Sequence, residues 1–99
     1  PAYAASKGAV AQLTKALSNE WAGRGVNVNA IAPGYMVTQL TADMQGKNPA
    51  QYAEITGRIP MHRWGQPEDL QGAVVFLASP AAAYVTGAIL PVDGGYLGK

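Results

Sequence analysis

Val26-Asn27-Val28-Asn29-Ala30-Ile31-Ala32 is the stretch that most narrows the fold. A short run rich in β-branched residues, held between Gly25 and Pro33-Gly34, reads as a strand buried in a sheet. It follows a long helical pattern. From Ala2 to about Ala22, the residues Val10, Leu13, Thr14, Leu17 and Trp21 recur at three- and four-residue steps and predict one apolar stripe, with alanines beside it that let other helices approach closely. Gly23 and Gly25 supply a left-handed stop, and Arg24 between them suits the negative end of the helix dipole. Gly23-Arg24-Gly25 is not a phosphate loop, since a dinucleotide fingerprint follows a strand and opens a helix. Asn27 and Asn29 are expected to tie the strand to a neighbouring loop, because a buried amide must find partners. Pro33-Gly34 ends the pairing and lets the backbone approach a ligand, at the kind of strand end where open α/β sheets bind theirs.

The rest of the chain is less regular at first. Tyr35 to Gln66 holds Gly46, Pro49, Gly57, Pro60 and Gly65, with helical potential only around Ala50 to Thr56, and reads as a mobile lid or a surface connection. His62 is the only histidine and has no ligand-spaced companion, so it is expected at the surface or in packing; no metal site is expected, and Trp64 is expected to anchor. Gln66-Pro67-Glu68-Asp69 marks a helix start, with two carboxylates at the positive end of the dipole acting as caps. Leu70, Ala73, Val74 and Leu77 would form that helix's buried stripe up to Ser79-Pro80, followed by a short turn from Ala81 to Tyr84. Gly87 to Val92 reads as a second strand, which Pro91 assigns to a sheet edge. Two parallel strands joined through helices predict an α/β protein with a right-handed crossover.

Composition bounds the partners. Ninety-nine residues, 48% hydrophobic and 13% charged, suit one globular unit. A net charge of +1 without a basic cluster argues against nucleic acid, and no apolar run nears the ~18 residues of a membrane span. With no cysteine and no signal peptide before Pro1, the cytoplasm is the expected location. The helical pattern begins at once behind Pro1, which points to a truncated chain.

Tyr3 and Lys7 are the chemical pair. Four residues apart on a helix, they sit one above the other. A free phenol has a pKa near ~10, and a neighbouring cation favours its phenolate. Such a tyrosine can act as general acid or base toward an alcohol or carbonyl oxygen. On spacing alone, a pair of this kind more often marks a packed ring beside a solvated ammonium.

The neighbours of the pair reverse that balance. Tyr3-Ala4-Ala5-Ser6-Lys7-Gly8-Ala9-Val10, then Val26 to Gly34, then Val92-Asp93-Gly94-Gly95 resemble, in order, three signatures of the short-chain dehydrogenase/reductase family. The likeness covers essentially the whole chain and implies the C-terminal portion of a Rossmann-like doubly wound parallel sheet, in the order helix, strand, helices, edge strand. Residues 1–99 would then be a C-terminal fragment of a single NAD(P)-binding domain. The resemblance implies hydride transfer between NAD, or NADP, and a secondary alcohol or ketone. Tyr3 would be the acid/base, and Lys7 would lower its pKa and bond the nicotinamide ribose. Pro33, Gly34 and the backbone of Met36 would line the nicotinamide, the Thr38 hydroxyl would reach the cofactor's amide or phosphate end, and Tyr35 would face the substrate. Met36 stands where isoleucine or valine is common, which leaves only its backbone role intact. Ser6 is not the family's catalytic serine; by the resemblance that serine, the glycine-rich turn, the ribose selector and the catalytic asparagine lie upstream of Pro1, so the chain by itself should be inactive.

Within the family, Asn19-Glu20-Trp21-Ala22, Arg58-Ile59-Pro60, Arg63-Trp64-Gly65 and Pro91 to Leu97 resemble the branch that acts on sugar acids such as 2-dehydro-3-deoxy-D-gluconate and usually prefers NAD. Gluconate 5-dehydrogenases and 3-oxoacyl-carrier-protein reductases share most of these motifs and stay open as alternatives. The long first helix and the edge strand resemble the two interfaces through which family members form homotetramers. A non-catalytic oligomerisation fragment is the alternative of another class.

Overall fold

The computed structural model describes residues 2–98, without the side chains of Ala2, Tyr3, Ala4 and Leu40. Six regular elements follow one another: α1 (Ala2–Trp21), β1 (Ala30–Pro33), α2 (Gln39–Lys47), α3 (Pro49–Arg58), α4 (Glu68–Leu77) and β2 (Ile89–Val92). The strands form one two-stranded sheet. Ala30 N–H donates to Ala88 O and Gly34 N–H to Val92 O, so both chains ascend together and the pairing is parallel. By contact the chain divides into two compact units, residues 2–31 with 73–90 and residues 32–72 with 91–98, and each takes part of both strands.

In the first unit α1 runs as expected, and its end is set by one glycine rather than two. Gly25 adopts φ 79° and closes the turn Ala22–Arg24, whereas Gly23 lies inside that turn without a left-handed φ. The expected stripe of α1 is covered at Thr14, Leu17 and Trp21 and open at Val10 and Leu13, and Ser18, outside it, is buried as well. Thr14 and Ser18 are each only 5% exposed, while Val10 and Leu13 are 55% and 57% exposed. The period is right and the covered face is shifted toward Ser18, whose small hydroxyl fits under a close-lying loop and bonds to it, while the Thr14 hydroxyl donates to Val10 O of its own helix. Ser18 Oγ shares a proton with Thr86 Oγ1 at 2.8 Å, Thr86 Oγ1 also accepts from Val28 N–H at 3.0 Å, and Gly87 comes so near that a Cβ on it would stand 3.0 Å from Ser18 Oγ.

The strand is shorter and later than its β-branched run suggests. Val28 N–H is taken by the Thr86 hydroxyl and Val28 O by Gly87 N–H at 2.7 Å, so residues 26–29 bind a loop instead of a ladder. The asparagines do tie strand to loop. Asn27 Nδ2 donates to Ala83 O at 3.2 Å, and Asn29 gives Nδ2 to Val85 O and accepts Ala88 N–H through Oδ1, both at 3.0 Å.

In the second unit the helix expected around Ala50 to Thr56 is α3, but the irregular reading of the rest of residues 35–66 is overturned by α2, and both helices are capped. Thr38 and Thr41 form a reciprocal capping box at the start of α2. Asn48 closes α2 through its N–H to Met44 O and opens α3 by accepting Gln51 N–H, with Pro49 in the first turn. Core burial here centres on Ile59 and Trp64, 1% and 4% exposed. Trp64 anchors as expected: it stacks on Tyr52 at 4.7 Å and 4°, and its Nε1–H donates to Thr56 Oγ1 at 2.8 Å. His62 is exposed and takes φ 55° in the turn that follows α3.

α4 starts at its expected cap, yet its stripe is only partly covered. Leu70, Ala73 and Leu77 are half-buried, whereas Val74 is 53% exposed, and Val75 and Phe76 are exposed beside it.

Candidate functional site

Positions 3 and 7 share one face of α1, one turn apart. The Tyr3 side chain lies outside the described ones, and Lys7 is exposed. The remaining candidates, Pro33, Gly34, Tyr35, Met36 and Thr38, follow one another where β1 ends, in the second unit.

Gly34 has a packing reason for its missing side chain. Its N–H holds Val92 O at 3.0 Å, and a Cβ added there would meet Asp93 Cβ at 2.6 Å and Cα at 2.8 Å. Asp93 in turn is held by its own turn, accepting Gly95 N–H on Oδ1 at 3.0 Å and Leu97 N–H on Oδ2 at 3.1 Å. Gly94 and Gly95 adopt φ 66° and 93°, which glycine takes without strain. The Val92-Asp93-Gly94-Gly95 motif is therefore a turn that buttresses the β1 end.

Met36 makes an isolated parallel bridge with Gly65. Gly65 N–H donates to Tyr35 O at 2.8 Å and Gly65 O accepts Val37 N–H at 2.7 Å. In a parallel bridge the residue between those two bonds turns its own N–H and C=O to the opposite side. There Met36 O accepts the Thr41 hydroxyl at 2.9 Å. The Met36 N–H has no acceptor among the described residues. Thr38 caps α2: its hydroxyl accepts Thr41 N–H at 3.2 Å, and its own N–H goes to Thr41 Oγ1 at 2.6 Å.

Tyr35, Met36, Arg63, Gly65, Asp69 and Asp93 line a cleft of ≈ 460 Å³. Among the described residues, Tyr35 is the one aromatic ring lining this cleft, with its centroid 5.3 Å from that of Trp64 and 5.5 Å from that of Tyr96. The Arg63 guanidinium forks onto the Asp69 carboxylate, at 2.9 Å from Nη1 to Oδ2 and 3.2 Å from Nη2 to Oδ1. Asp69 Oδ2 also accepts Gln66 N–H at 2.7 Å. The Arg63 hydrogen bond first, and the Gln66 N–H second, hold the Asp69 carboxyl down at about 2, against an ordinary 3.8. The same bond raises the Arg63 pKa. Reading Asp69 as a cap is right but incomplete. The arginine partner sits six residues upstream, and spacing alone offers no signal for such a pair. No group of His, Asp and Glu among the described residues could hold a metal, and no helix among them is long and apolar enough to cross a membrane.

An outward main-chain donor at Met36, beside a cleft lined by Tyr35, could hold a flat amide-bearing ring such as a nicotinamide.

The family model described as Enoyl-(Acyl carrier protein) reductase matches residues 1–97. The 2-dehydro-3-deoxy-D-gluconate 5-dehydrogenase of Pseudoalteromonas atlantica is 62% identical over 99 residues, covering 100% of this chain and 39% of that protein. A galactitol 2-dehydrogenase (L-tagatose-forming) from Cereibacter sphaeroides is 58% identical over 94 residues, 95% of this chain and 37% of that protein. A crystal structure from Agrobacterium tumefaciens with bound NADP, described as a 2-deoxy-D-gluconate 3-dehydrogenase, superposes with a TM-score of 0.93 at 56% identity, over 100% of this chain and 40% of that one. The chain thus spans about two fifths of the length of the relatives it matches. Its helices and parallel strands are those of a Rossmann-type dehydrogenase sheet, and the chain belongs to the short-chain dehydrogenase/reductase family.

Proposed function

We propose that residues 1–99 are the C-terminal part of a single-domain, NAD(P)-dependent oxidoreductase that interconverts a secondary alcohol and a ketone on a sugar acid of the 2-dehydro-3-deoxy-D-gluconate kind. The observation that carries this reading is the 62% identity, over the whole chain, to a dehydrogenase of that name. When bound, the nicotinamide supplies or accepts the hydride at the carbinol carbon. Tyr3 Oη moves the matching proton: it gives it to the carbonyl oxygen in reduction and takes it from the hydroxyl in oxidation. The Lys7 cation, one helical turn away, favours the phenolate and so brings the phenol toward working pH. Met36 N–H is a donor for the carboxamide of the nicotinamide, Pro33 and Gly34 give that ring a wall without competing side chains, and the Thr38 hydroxyl reaches toward the cofactor. Tyr35, which lines the cleft, faces the substrate. The active parent is a soluble cytoplasmic homotetramer in this reading.

The galactitol relative differs in one chemical respect, since a polyol lacks the carboxylate. The full-length enzyme carrying this segment is to be assayed by nicotinamide absorbance with 2-dehydro-3-deoxy-D-gluconate, gluconate and galactitol, each with NAD and NADP, or with their reduced forms for the ketone. The sugar acids should turn over in preference to galactitol, and Tyr3→Phe should lower turnover by at least ~10²-fold while cofactor still binds. Ordinary turnover by Tyr3→Phe would rule out the proton role.

A further inference from the structure

We propose that the Arg63–Asp69 ion pair is a positioning device for the nicotinamide-facing segment 35–37; this rests on the reading above that Met36 N–H meets the cofactor. Main-chain pairing holds that segment at a single point. Its pairing to residue 65 is one isolated bridge of two hydrogen bonds, with no ladder on either side to set its register. Gly65 spends both main-chain groups on residues 35 and 37. Whatever fixes the Gly65 peptide planes therefore fixes the direction of Met36 N–H.

Those planes are gripped from both sides by one pair of side chains. Arg63 Nη1 donates to Trp64 O at 3.2 Å, on the peptide entering Gly65. Asp69 Oδ2 accepts Gln66 N–H at 2.7 Å, on the peptide leaving it. The bidentate fork joins the two grips into a closed clasp around residues 64–66. The Met36 side chain also lies close over Gly65, where an added Cβ would come within 2.6 Å of Met36 Sδ. An exposed ion pair adds little to global stability. Its placement around a single-bridge contact makes its local effect larger than its global one.

The test is made on the full-length enzyme with Arg63→Gln, which opens the fork but leaves Asp69 on Gln66 N–H, and with Arg63→Lys, which keeps the charge without the fork. NADH and NADPH are titrated by cofactor fluorescence, alongside kcat at saturating cofactor and thermal unfolding. Arg63→Gln should raise the cofactor Kd by roughly three- to tenfold, the weight of about one hydrogen bond, with kcat within about twofold and Tm nearly unchanged. Arg63→Lys should fall between Arg63→Gln and the wild type. Unchanged cofactor Kd in both variants overturns the proposal. A loss of Tm that lowers the folded fraction while Kd of the folded enzyme stays at the wild-type value marks a purely structural pair and overturns it too. A wild-type enzyme that binds neither NADH nor NADPH refutes instead the cofactor reading on which the proposal stands.

Discussion

Asp69 shows how much one residue does here. It is a helix-start carboxylate, as its place behind Pro67 suggests, but its low pKa comes first from Arg63 and only then from the Gln66 N–H that it caps. A folded-state pKa below the unfolded one means that the charged form is favoured by folding. The stabilisation is therefore whole above the ordinary value of 3.8 and is lost as pH falls through about 2. Urea unfolding of the full-length enzyme and of Asp69→Asn should show a stability gap that is constant from neutral pH down to ~4 and shrinks below it. Salt should narrow the gap as well, because the pair is open to water. A gap that widened in acid would contradict the assignment. Gly34 teaches the complementary lesson: its lack of a side chain is explained by Asp93, a residue far off in sequence, before any ligand is considered.

At the scale of elements, caps outweighed breakers. Gly46, Pro49 and Gly57 made residues 35–66 look irregular, yet Gly46 and Gly57 sit inside helices near their ends and Pro49 is in a first turn, where its missing N–H is harmless. Asn48 is the pivot between α2 and α3, accepting Gln51 N–H at 3.3 Å while its own N–H ends α2. Asn48→Ala in the full-length enzyme is expected to lower stability by about 1 kcal/mol, measured by denaturant titration, and Asn48→Ser to restore much of that. An alanine variant as stable as wild type would mean that packing of α2 on α3 alone sets the corner. In α1 and α4 the helical period was legible and the buried face was not. Of the expected stripe of α1, Thr14 is covered while Val10 and Leu13 are open, and Ser18 joins the covered face because the loop above it bonds its hydroxyl.

For the molecule as a whole, the exposed apolar side chains matter most. Val10 and Leu13 on α1, with Val74, Val75 and Phe76 on α4, are open to water. Among the described residues, the buried hydrophobic ones are Ile59, Trp64 and Ala82. Apolar side chains left in water favour association. Residues 1–99 produced alone are expected to self-associate and to leave NAD unbound, since the phosphate-binding turn expected of the family is not among them. Light scattering with calorimetric NAD titration checks both halves of that statement. A monodisperse monomer binding NAD at micromolar strength would refute it.

The sequence by itself determined the long first helix, the parallel strand pair around Pro33 and Pro91, the start of α4 and the anchoring role of Trp64, because period, proline and capping residues act within a few residues of each other. It also carried the Tyr3 and Lys7 spacing and the motifs that resemble the family. Tertiary structure decided which face of α1 is buried, where the first strand begins, why Gly34 must be glycine, and that Arg63 reaches Asp69 around Gly65. Each of these depends on which distant segment arrives alongside. That is fixed by closest approach and by hydrogen-bond closure across the fold, neither of which leaves a periodic trace in the chain.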